Sequence, residues 1–73
     1  MKARYKIVGL EHDELIDKIY KEISAIHGVE EVFINIQKQE MVIETEEENL
    51  LRIEHAAIII LSYITPQISI KKF

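Results

Sequence analysis

The apolar residues of this chain switch repeatedly between a spacing of two and a spacing near 3.6, and that alternation restricts the fold more than any other feature. From Lys2 to Gly9, Ala3, Tyr5 and Ile7 alternate with Lys2, Arg4 and Lys6, which predicts a strand with one solvated face. From Asp13 to Ile26 a helical stripe follows: Leu15, Ile16, Ile19, Tyr20, Ile23 and Ile26. Asp13 suits the cap, acidic Asp13, Glu14 and Asp17 suit the positive end of the helix dipole, and His27 suits its negative end. Gly28 supplies a left-handed stop. Val32, Ile34 and Ile36 then alternate with Phe33, Asn35 and Gln37, and a polar turn at Lys38-Gln39-Glu40 leads into a third strand from Met41 to Thr45, so the pair reads as a hairpin. The acidic run Glu44 to Glu48 reads as a solvated loop entering a second helix, Leu50 to about Tyr63, with Asn49 or Thr45 as its cap. Pro66 forbids continuation, and Ile68 and Ile70 begin a last short strand.

Strand, helix, strand, strand, helix, strand with right-handed crossovers gives an α+β, ferredoxin-like βαββαβ sandwich: a four-stranded antiparallel sheet with two helices on one face. The expected inward set is Tyr5, Ile7, Val32, Ile34, Ile36, Met41, Ile43, Ile68 and Ile70. The opposite face should carry Arg4, Lys6, Asn35, Gln37, Glu44, Ser69 and Lys71, with Phe33 and Val42 among them.

A chain of 73 residues is expected to make one domain spanning 1–73. Such a short chain buries only about 60% of its unfolded surface, and small domains often compensate with disulfides, metals or association. Cys 0 removes disulfides and most structural zinc sites, leaving packing, for which the hydrophobic fraction of 48% is favourable, or a partner surface. Lys+Arg 9 against Asp+Glu 13 give a net charge of -4, the wrong balance for binding phosphate backbones. The longest apolar block, Ala56 to Leu61, extends through Ser62 only to Ile64, well short of the ~20 residues of a spanning helix, and no apolar run of signal-peptide length follows Met1. These features predict a cytoplasmic protein that binds no nucleic acid and inserts into no membrane.

The segment Gly28-Val29-Glu30-Glu31-Val32-Phe33-Ile34-Asn35-Ile36 resembles the G-V-x-x-V-x-V-N-L segment of heavy-metal-associated domains, the ferredoxin-like copper chaperones and amino-terminal modules of metal-pumping ATPases. In that family a G-M-x-C-x-x-C loop joins the first strand to the first helix. Here Gly9-Leu10-Glu11-His12-Asp13-Glu14-Leu15 stands in its place, with the spacing from His12 to Gly28 matching without a gap. Ile58 to Ser62-Tyr63 is similar to the family's I-x-x-x-G-Y ending of the second helix, with serine for glycine. The resemblance implies the ferredoxin-like fold over nearly the whole chain. It does not carry over the chemistry: Leu10 replaces the loop methionine, His12 the first cysteine and Leu15 the second, and soft monovalent copper selects sulfur ligands.

His12, beside the oxygen donors of Glu11 and Asp13, is the candidate metal ligand, suited to weak binding of zinc, nickel or divalent copper. No other cofactor is expected. His27 reads as a helix-end residue and His55 as a surface residue on a polar side shared with Arg52 and Glu54. Ser24, Ser62 and Ser69 lack nucleophile-elbow glycines, and Gly9 and Gly28 cannot form a phosphate loop, so an enzyme is not expected. Ile58 and Ile59 widen the second helix's apolar arc beyond what one sheet face covers. A protein partner or self-association through Ile58, Ile59 and the open sheet face is the expected use. The sequence thus predicts a non-catalytic binding module, associated with metal handling, that works by protein docking or weak divalent-metal binding. The alternatives are a small regulatory ligand-binding domain of the same fold and a structural self-associating domain.

Overall fold

The computed structural model describes residues 1–10, 13–66 and 68–72, with the side chains of Asp13 and Lys72 outside the description. The elements follow the order β1 (Lys2–Val8), α1 (Asp13–Ser24), β2 (Val29–Asn35), β3 (Glu40–Thr45), a short 3-10 turn (Glu47–Asn49), α2 (Leu50–Ile64) and β4 (Ser69–Lys72). The strands form one sheet in the order β2-β3-β1-β4 with every neighbouring pair antiparallel. This is the ferredoxin-like arrangement expected from the sequence.

The alternation in β1 does what its period requires: Ala3, Tyr5 and Ile7 are buried while Lys2, Arg4, Lys6 and Val8 are exposed. Opposite them, Met41, Ile43 and Thr45 of β3 face inward. The helices close this face with Ile19 and Ile23 of α1 and with Ile53, Ala57 and Leu61 of α2. The α2 set recurs every four residues, a single stripe on the helix. Strands put successive side chains on opposite faces, so the other face of the sheet stays uncovered.

Several local expectations are corrected. The α1 helix ends at Ser24, not Ile26, and Ala25 to Gly28 form a tight reversal in which the Val29 amide donates to the Ile26 carbonyl at 3.1 Å. Gly28, at φ +99°, therefore serves the entry into β2 instead of the helix stop. Arg52 crosses it to donate to the His27 carbonyl at 2.7 Å, so closely that a Cβ on Gly28 would lie 2.8 Å from Arg52 Nη2. His27 is exposed and lies beyond the helix it was expected to cap. Neither proposed cap of α2 acts as one: Asn49 makes no capping hydrogen bond, and Thr45 is buried, its hydroxyl donating to the Gly28 carbonyl at 2.7 Å. The 3-10 turn winds up the first turn of α2 without a side-chain cap. Tyr20, expected in the buried stripe of α1, is 48% exposed because it sits a full step past Ile19 around the helix.

Candidate functional site

The connection from β1 to α1 is where the sequence places its candidate ligands, and its second residue is firmly held. Leu10 is buried, and its backbone is gripped at both polar groups by the Gln39 side chain. The Leu10 amide donates to Gln39 Oε1 at 3.0 Å, and Gln39 Nε2 donates to the Leu10 carbonyl at 2.6 Å and to the Ile36 carbonyl at 2.8 Å. The Ile7 amide also donates to the Gln39 carbonyl at 2.8 Å. The turn between β2 and β3 thus locks the end of β1. To do so Gln39 adopts φ 54°, a left-handed conformation that non-glycine residues seldom take.

Glu11 and His12 lie outside the described residues, and Asp13 opens α1 with its side chain outside the description. Among the described residues no group of three or more His, Cys, Asp or Glu is placed to hold a metal ion. The flanking Leu10 and Leu15 both pack on the core, so neither position offers a donor. With no cysteine in the chain, the residues present do not fit two-thiolate copper coordination. His55 is exposed on α2, as expected, but Glu54 does not share its outward side. Glu54 is half-buried and accepts a hydrogen bond from the Tyr5 hydroxyl at 3.0 Å.

Tyr5 is the one core side chain with a phenol, and a buried Tyr O–H needs an acceptor. Burial, then the hydrogen bond to Glu54 and its negative charge, push the Tyr5 phenol well above its ordinary range. A folded-state value raised above the unfolded ~10 gives stability that is present below pH ~10 and lost as pH rises beyond it. Tyr5→Phe should cost about 1–2 kcal/mol at neutral pH, and the gap to wild type should shrink steadily above pH ~10. Urea unfolding of both proteins across that range checks this; a gap that stays constant in alkali contradicts it.

The uncovered sheet face carries Phe33, 50% exposed, beside half-buried Val42. Around them lie Arg4, Asn35, Lys38 and Glu40, which line a shallow depression of about 400 Å³. Arg4 Nη2 donates to Glu40 Oε1 at 2.7 Å, and this guanidinium holds the Glu40 carboxyl below its ordinary range. A second exposed apolar region lies on α2: Ile58 is 41% and Ile59 69% exposed. Ile59, with Ile60, Tyr63 and Ile64, lines a groove of about 240 Å³ whose far side is Lys18 and Glu22 of α1. Among the described residues no helix is long and apolar enough to cross a membrane.

No protein-family model and no curated protein sequence matches this chain. Solved structures match it over almost its full length. The yeast copper transporter domain CCC2A, determined in apo and Cu(I)-loaded states, has a TM-score of 0.74 at 12% identity, covering 99% of this chain and 93% of that one. The CsoZ metallochaperone has a TM-score of 0.71 at 23% identity, covering 100% and 96%. The N-terminal domain of ZntA in its Zn(II) form has a TM-score of 0.72 at 15% identity, covering 97% and 89%. The resemblance to heavy-metal-associated domains holds at the level of the fold, in a chain that has no cysteine.

Proposed function

We propose that this chain is a non-catalytic binding module that works by docking to protein on a fold also found in metal-handling domains, without thiolate copper transfer. The observation that carries the reading is the open sheet face, where exposed Phe33 and half-buried Val42 form an apolar centre ringed by charges of both signs. An apolar centre with a polar rim is the anatomy of a protein interface, whereas catalysis needs a nucleophile or a tuned acid–base pair held in a cleft. The structural likeness to CCC2A, CsoZ and ZntA supports a setting in metal handling. The cytoplasm is the compartment that the composition suits.

A second reading, weak capture of a divalent ion by His12 with Glu11 and Asp13, is favoured by the Gln39 clamp, which fixes the chain immediately before these residues. Titration with zinc, nickel and divalent copper, followed by amide resonances in wild type and His12→Ala, tests it. Weak shifts around Leu10 and Glu14 that vanish in the variant are expected. Equal responses in the two proteins remove His12 as a ligand and leave docking as the whole function.

A further inference from the structure

Along its strands the open sheet face is divided into two electrical halves, with Lys38 of the β2–β3 turn at the end of the acidic one. On β2 and β3 it presents Glu31, Glu44 and Glu40, and on β1 and β4 Lys2, Arg4, Lys6 and Lys71. The register arranges these in rows across the sheet. One row runs Glu31, Glu44, Lys2; the next Phe33, Val42, Arg4; the third Asn35, Glu40, Lys6, Lys71. The boundary between acidic and basic halves falls between β3 and β1, the two central strands.

A two-fold axis lying in the plane of contact, parallel to the strands and above that boundary, superimposes each half on the opposite half of a second copy. Rows are preserved by this rotation. Glu44 then faces Lys2 of the second copy, Glu40 faces Lys6, Asn35 faces Lys71, and Val42 with Phe33 meets the aliphatic stem of Arg4. Every contact occurs twice, as an isologous interface requires. An axis perpendicular to the strands would instead set glutamates on glutamates and lysines on lysines, which is repulsive. A partner of single charge would complement only half of the face. The face complements itself.

From this match we infer that the open sheet face is a homodimer interface, with the two copies related by an axis parallel to the strands. The inference rests on the docking reading and names its partner as a second copy of this chain. Strands of 7, 7, 6 and 4 residues give a face of about 380 Å² in projection, below the ~800 Å² per partner of a standard interface. The dimer is therefore weak, reversible and sensitive to salt, since its ion pairs lie at a solvated rim.

Sedimentation equilibrium of the full chain over a wide concentration range, at low and high salt, is the test. A monomer–dimer equilibrium that weakens with salt is expected. Lys2→Glu alone and Glu44→Lys alone should each raise the dissociation constant about tenfold, because each reversal is felt twice. The double exchange, Lys2→Glu with Glu44→Lys, should restore association. Unchanged circular dichroism shows that each variant remains folded. Monomer at every concentration, or single reversals without effect, overturns the interface while leaving docking to another protein intact. A dimer abolished by Ile59→Lys and indifferent to the sheet reversals also overturns it, by moving the interface to the helices.

Discussion

Ile43→Ala is expected to remove about 2–5 kcal/mol of stability, the range for deleting a fully buried isoleucine side chain to its Cβ. Ile43 is 0% exposed on the central strand β3, opposite Ala3 of β1 and Val32 of β2. It belongs to the buried cluster that Ile19 and Ile23 of α1 and Ile53, Ala57 and Leu61 of α2 complete, so its removal leaves a gap in a closed core. A domain of 73 residues has about 4–11 kcal/mol in total at ~0.05–0.15 kcal/mol per residue. One methyl-rich side chain is therefore a large share of the whole. With neither disulfide nor cysteine-ligated metal to hold the chain, the loss should appear directly as a lower urea midpoint at unchanged slope. A loss under ~1 kcal/mol would mean that the core is not closely packed at β3.

Gln39→Ala is expected to cost about 2–4 kcal/mol, since it removes three hydrogen bonds from partly buried backbone at ~0.5–1.5 kcal/mol each. The effect should be local as well as global. The Leu10 amide loses its acceptor, so its hydrogen exchange should accelerate more than that of Ile43 in the middle of the sheet. Gln39→Gly separates the bonds from the backbone. It loses the same three bonds but adopts φ 54° freely, so it should be more stable than Gln39→Ala by roughly 1 kcal/mol. If alanine and glycine were equal, and Leu10 stayed protected in both, the clamp would not be what holds the first connection.

The sequence made the sheet and helices legible because each element carries its own period: Ala3, Tyr5 and Ile7 alternate, and Ile53, Ala57 and Leu61 recur at four. Phe33 and Val42 on the open face followed from the same parity. What escaped the sequence were contacts between elements distant along the chain. A glutamine in a polar turn gives no sign that it reaches back 29 residues to Leu10. Tyr5 did give a sign, since an inward phenol demands an acceptor, but only the packing of α2 reveals that the acceptor is Glu54, which the sequence placed on the polar side with His55. Caps failed for a related reason: Thr45 looked like the start of α2, yet its hydroxyl is used to tie β3 to Gly28. The candidate ligands Glu11 and His12 fall outside the described residues, so their chemistry rests on the titration of His12→Ala.

The central claim is that a fold shared with metal-handling domains occurs here in a chain with no cysteine to transfer soft copper. Competition for monovalent copper between the protein and a colorimetric copper(I) chelator, under anaerobic reducing conditions, tests that most directly. The chelate absorbance should stay unchanged on addition of equimolar protein, because one imidazole and neighbouring carboxylates cannot displace such a ligand. Stoichiometric bleaching of the chelate by the protein would contradict the account.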